Sequence, residues 1–242
     1  MTIQEYFGDW SEVVDLKEAD RLINNLSKFS TGSICPQLKD IFKAFHLCPL
    51  HTLRLVILAQ DPYTTLKKAV VTEASASGLK SLLPVATGIA FANDSNTPVK
   101  NLSPSLEVLR ESVIDYEVPH GIVTFDPSLE KWEAQGVLML NSALSCEAGR
   151  VGSHMLMWRP FITSFLTNLV KRSWGIVYVL MGSQAQSFEP YINKEYNHIL
   201  KCKHPSYYAR THQRMPSHIW KQINQILISQ NGYGIDWYEE NK

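Results

Sequence analysis

The chain has little of what would mark a metal protein, a membrane protein or a strongly basic nucleic-acid binder. Its four cysteines, Cys35, Cys48, Cys146 and Cys202, form no C-x-x-C pair. That excludes zinc-ribbon and iron–sulfur spacing and leaves reduced, mostly buried thiols. No run approaches the roughly 18 consecutive apolar residues of a membrane span. The start, Met1-Thr2-Ile3-Gln4-Glu5, has no charged segment leading into an apolar one. The expectation is an intracellular protein, cytoplasmic or nuclear, with no secretion signal. Net charge is also missing: 23 Lys and Arg balance 23 Asp and Glu, so composition gives no global basic signature. Gly182-Ser183 lacks the G-x-S-x-G nucleophile elbow. No His/Asp/Glu cluster has ligand spacing, so neither a metal nor a cofactor is expected. Gly232-Tyr233-Gly234 follows the last helical pattern and reads as a turn, not as a dinucleotide fingerprint.

What the chain does have is 242 residues at 45% hydrophobic content, enough for one sizeable core and a single domain over 1–242. Helical spacing recurs over 17–29 and over 36–45, where Pro36 suits a first helical position. Ser103-Pro104 suits the start of another helix, with Ser as N-cap and Leu106, Leu109 and Val113 as its apolar stripe. Further helices are predicted over 159–171 and 217–228. Short apolar runs at 53–59, 137–140, 176–181 and 198–202 read as buried strands. Strands separated by helices predict an α/β fold with a central four-stranded, mostly parallel sheet flanked by helices. Residues 64–87, which include Ala74-Ser75-Ala76-Ser77-Gly78, show no obvious core element. A loop of that length in a compact domain is usually functional.

The four strand ends deliver Gln60-Asp61, Asn141, Gly182-Ser183 and His204-Pro205-Ser206. Ligands in open α/β sheets bind at the carboxyl ends of the strands, so an acid, an amide and an imidazole converge there on one crevice. Such a set supports hydrolysis: Asp orients or deprotonates water, His stabilises developing negative charge, and Asn reads a donor–acceptor edge. Beside His204, residues 201–214 carry Lys201, Lys203, Arg210 and Arg214 with no acid. That stretch suits phosphate contact and, equally, a solvated loop.

At these residues the chain resembles the family 1 uracil-DNA glycosylases. Residues 53–63, ending Gln60-Asp61-Pro62-Tyr63, resemble that family's water-activating segment, as does Ile41-Phe42-Lys43-Ala44-Phe45 before it. Further matches follow in family order: Gly88-Ile89-Ala90-Phe91; Ser103-Pro104-Ser105-Leu106; Gln135 through Asn141; Ser153-His154 with Trp158; Leu180-Met181-Gly182-Ser183; His204-Pro205-Ser206; and Ile235-Asp236-Trp237. The resemblance implies excision of uracil from single- or double-stranded DNA, leaving an abasic site, by a monomer that a uracil-DNA glycosylase inhibitor protein could block. By the same resemblance Asp61 positions the attacking water and balances a cationic sugar, and His204 stabilises the departing uracil anion. Asn141 reads the base edge, Gln60 adds a contact, Phe91 stacks on the flipped base, and Tyr63 fills the space a thymine methyl needs. Ser105, Ser183, Pro205, Ser206 and Arg210 belong to the DNA-contacting set. Each residue type has an ordinary use as turn former, cap or core, and collinear order is what gives the set its specificity.

Three departures stand out. Ala59 and Thr64 occupy positions where the family has Gly and His, residues 64–87 replace a short turn, and Tyr207-Tyr208 replace the Pro-Leu of the minor-groove loop. Tyr208 is then the expected intercalating wedge, which predicts a preference for single-stranded or loosely paired DNA. Thr64 and the insertion leave open a second reading, a glycosylase-fold DNA-binding or replication-accessory protein with weak or lost catalysis.

Overall fold

The computed structural model describes residues 2–30, 32–68, 82–116 and 121–241. Its centre is four parallel strands, β1 (Leu55–Ala59), β2 (Val137–Asn141), β3 (Val177–Met181) and β4 (His198–Cys202), in the spatial order β2-β1-β3-β4. Leu55 stands opposite Val137 on one side and Val177 on the other, and Val177 opposite His198. Every residue of β1, β2 and β3 is buried. Both faces of the sheet are covered, which is why these strands read as unbroken apolar runs and not as alternating ones. The alternation is present but hidden in the packing. Val56 and Leu58 face one core with Leu138, Leu140, Tyr178 and Leu180, while Leu55, Ile57 and Ala59 face the other with Val137, Met139 and Val179.

Helices α1 (Leu16–Phe29) and α3 (Met155–Arg172) cover the first face, α1 through Leu22 and Leu26 and α3 through Phe161 and Phe165. Helices α2 (Pro104–Ile114) and α5 (His218–Asn231) cover the second, α2 through Leu106 and Leu109 and α5 through Trp220 and Ile223. Helix α4 (Pro205–Thr211) follows β4 directly. Asp15 caps α1, its carboxylate accepting from the Lys17 and Glu18 amides.

Four expectations need correction. Residues 36–45 do not form one helix: Leu38–Asp40 is a 3₁₀ turn and Lys43–Leu47 a short α-helix, with Pro36 ahead of both. Ser103 occupies the N-cap of α2 without capping through its side chain; its Oγ instead accepts from Asn93 Nδ2 at 2.8 Å. Helix α3 begins a turn before Arg159 and runs through Pro160, which has no N–H to return to Leu156. Residues 64–87 are not without structure, since Leu66–Lys68 pairs antiparallel with Leu82–Pro84. The small-residue run Ala74 to Gly78 lies outside the described residues.

One buried group makes the fold sensitive to pH. Glu133, at the end of a short helix that leads into β2, is fully buried; its Oε1 accepts from the Met139 amide at 3.0 Å and its Oε2 has no partner among the described residues. Burial raises its carboxyl well above the usual range. Between the ordinary carboxylate range and that raised value, only the folded state holds the proton. The stability this proton supplies is complete at low pH and is lost as pH rises. Glu133→Gln keeps the Oε1 acceptor and removes the titration. The urea-unfolding free energy of the variant should therefore fall less between pH 5 and pH 8 than the parent's. Identical slopes would exclude Glu133 as the source.

Candidate functional site

Backbone pairing between β1 and β2 continues one step past the strands. The Ser142 amide donates to Ala59 O at 3.1 Å, the Ala143 amide to Gln60 O at 2.9 Å, and Ser142 Oγ also to Gln60 O at 2.9 Å. This staple fixes Gln60-Asp61 beside Asn141. On the other side, Gly182 donates to Cys202 O at 2.9 Å and holds φ near +89°. A Cβ at Gly182 would lie 2.9 Å from His204 Cβ, so glycine is what lets the end of β3 meet the start of α4. The ends enclose a cleft of about 400 Å³, within the range of small-ligand sites. Gln60, Asp61, Tyr63, Phe91, Ser105, Asn141, His204, Ser206 and Arg210 all line it, with Thr64 and Val151 at the same cavity.

The two ionisable groups shift in opposite directions for one reason. Burial raises the Asp61 carboxyl, and hydrogen bonds from the Gly152 amide (2.6 Å to Oδ2) and the Gln60 side chain offset part of that rise. Burial lowers the His204 imidazole to about 4, with the Arg210 charge adding to the effect. In both cases the charged form is the one disfavoured. His204 Nδ1 accepts from the Ser206 amide at 3.1 Å and lies 2.8 Å from Ser206 Oγ. A ring nitrogen that accepts from an amide carries no hydrogen, so the neutral ring's proton sits on Nε2 as a donor.

Phe91 forms another wall. Its φ of +66° is uncommon for a residue with a Cβ, and its ring centroid lies 5.3 Å from that of His204. The Tyr63 hydroxyl donates to Phe91 O at 2.6 Å.

Sequence reasoning missed Gly152. Its φ is +75°, and its loop is anchored by Gly149 N–H to Thr64 O (2.9 Å) and Glu147 N–H to Ser153 Oγ (2.8 Å). Ser145 Oγ accepts from Trp158 Nε1 at 2.8 Å and contacts His154 Nδ1 at 2.9 Å. Ser153, His154 and Trp158 are thus scaffold for the amide that holds Asp61. A backbone donor leaves no residue-type signal, and glycine before Ser-His was the only hint.

Four sequence-selected residues stand outside the cleft lining. Ser183 is exposed at the start of a short helix, and Pro205 is buried. Tyr207 lies beneath Lys203 Nζ at 3.8 Å. Tyr208 is 8% exposed, packed in the second core and T-shaped against Tyr207. The wedge expectation is therefore corrected. The chain becomes helical at Pro205, and residues three apart share a helix face, so Tyr208 turns inward with Pro205. The single-strand preference inferred from a projecting Tyr208 loses its basis.

The Uracil DNA glycosylase superfamily profile matches residues 45–228. The chain belongs to that superfamily. A uracil-DNA glycosylase of Pectobacterium atrosepticum is 30% identical over 94% of this chain and 94% of its own length. One from Yersinia pestis (strain Pestoides F) is 34% identical over 85% of this chain and 81% of its own. Among solved structures, mimivirus uracil-DNA glycosylase superposes with a TM-score of 0.73 at 22% identity, covering 97% of this chain and 86% of the viral one. Its Y322F variant in complex with UGI gives 0.73 at 21% identity, with 95% and 88% covered. The structural matches carry the glycosylase fold, and the curated relatives carry the family.

Because its folded value lies near 4, the His204 ring should stay neutral from pH 8 down to about pH 5 in an NMR titration. Arg210→Ala should raise that midpoint while leaving it below the ordinary histidine value, since burial is the larger cause. An unchanged midpoint in Arg210→Ala would remove the charge contribution.

Proposed function

We propose that the chain hydrolyses the N-glycosidic bond of deoxyuridine in DNA, releasing uracil and leaving an abasic site. One observation carries this: a single cleft sets a carboxylate, Asp61, and a neutral Nε2–H imidazole, His204, on strand ends two places apart in the sheet. Breaking the bond leaves positive charge on the sugar and negative charge on the base. Asp61, partly desolvated, faces the first with little water to screen it, and orients the water that attacks C1′. His204 donates from Nε2 to the carbonyl oxygen where the anion builds up, and its low proton affinity keeps it a hydrogen-bond donor without full proton transfer. Asn141, 7% exposed, spends its amide on the base edge.

Uracil and thymine share every hydrogen-bonding group and differ by one methyl, so discrimination has to be steric. The Tyr63 ring occupies that position. Ser105 and Ser206 line the cleft from the first turns of α2 and α4, where their hydroxyls meet a phosphate, and Arg210 supplies positive charge at the same rim. Ser183 completes the backbone grip from beyond the cleft. Extruding the base into such a pocket is how enzymes reach a glycosidic bond inside a duplex. In this reading the chain acts as one domain and as a monomer, without a cofactor. A uracil-mimicking inhibitor protein is the partner that would compete for the same surface.

The test is release of free base from single-stranded and duplex oligonucleotides carrying uracil, thymine or hypoxanthine. Uracil alone should be released, and Asp61→Asn should slow release by about 100- to 10,000-fold. The wild-type rate should fall on the acid side as Asp61 protonates, at a pH above the ordinary aspartate value. Tight binding of uracil-containing DNA with no release at any pH would overturn catalysis and support the DNA-binding alternative.

A further inference from the structure

We propose that the Tyr63 hydroxyl is a positioning group for base binding, distinct from the bulk of its ring: it holds the Phe91 carbonyl and so keeps the Phe91 ring in place as a wall of the cleft. The inference rests on the function proposed above.

Phe91 sits in the left-handed region, at φ +66°. A residue with a Cβ stays there only while its surroundings hold it. The neighbours are held from outside. The Ala90 amide donates to Met139 O at 3.0 Å and the Asn93 amide to Pro127 O at 2.9 Å, and the Asn93 side chain is fastened at both ends to Ser103, at 2.8 Å each. The carbonyl of Phe91 itself is engaged by the Tyr63 hydroxyl at 2.6 Å. That hydroxyl is aimed by a packed ring, since Tyr63 lies against Cys35, Ala86 and Cys146. Ser103 and the Leu106 amide flank it from the start of α2, and burial raises its proton affinity, so it remains a donor across the working pH range. One bond thus joins the segment carrying Asp61 to the ring that faces His204. When that bond is lost, the Phe91 peptide is free to relax and its ring to leave the wall.

Ring and hydroxyl can be separated experimentally, because Tyr63→Phe removes only the second. Free uracil as a competitive inhibitor, an abasic-site duplex in a direct binding assay, and steady-state cleavage of a uracil-containing oligonucleotide give three readouts. For Tyr63→Phe, uracil affinity should weaken about 5- to 10-fold, the equivalent of one hydrogen bond. KM should rise by a similar factor while kcat stays within about threefold. Abasic-site affinity should not change, and thymine should still not be released. In a Phe91→Ala background the same substitution should cost nothing further, because its effect passes through Phe91. Uracil affinity unchanged in Tyr63→Phe, equal weakening for uracil and abasic-site DNA, or full additivity with Phe91→Ala would each overturn the inference. A wild-type protein that releases no uracil would instead refute the proposed function, and the same assays tell the two apart.

Discussion

The backbone ladder between β1 and β2 does not stop where the strands stop, and the cleft depends on that continuation. Ser142 and Ala143 go on donating to Ala59 and Gln60 past the end of β2. The chain therefore turns away from the sheet only after Asp61 and Asn141 have been placed side by side. Parallel strands make this possible, because all four carboxyl ends share one edge. Cores on both faces of the sheet make it rigid, since a strand buried on two sides cannot slide without moving every side chain it carries.

Against that frame, one physical effect serves two opposite charges. Excluding water makes Asp61 reluctant to ionise and His204 reluctant to take up a proton. Local hydrogen bonds then define each group: the Gly152 amide partly restores the carboxylate, and the Ser206 amide fixes the imidazole tautomer. The cleft pairs a usable anion with a neutral donor, which suits a reaction that creates a cation and an anion together.

Much of this was legible in the sequence, and the reasons differ from part to part. Three of the four strands, β1, β2 and β3, were readable because double burial leaves a near-continuous apolar run, whereas β4, expected to be buried, is only partly so and carries His198 and Lys201. The nine cleft-lining candidates were readable because their residue types stand in the collinear order of the motifs the chain resembles. Three things were not. The Gly152 amide is a backbone group, and any residue type could have supplied it. Tyr208 was misplaced because the family's loop pattern does not say which face of a helix its residues take, and the helix beginning at Pro205 decides that. The split of 36–45 was hidden because a 3₁₀ turn and a short helix preserve nearly the same apolar spacing as one continuous helix.

The sheet ends at β4, which pairs with β3 alone among the described residues and is only partly buried. An exposed parallel edge offers unpaired amides and carbonyls to any other chain that drifts past, the usual starting point for edge-to-edge aggregation. Here the strand is five residues long and carries Lys201, which bridges to Glu189 at 3.1 Å, and Lys203 stands just beyond it. Short length and ammonium groups on a border strand penalise a neighbouring strand that tries to dock. Lysines that suit phosphate contact on charge alone therefore have a second use, as a guard against edge-to-edge pairing.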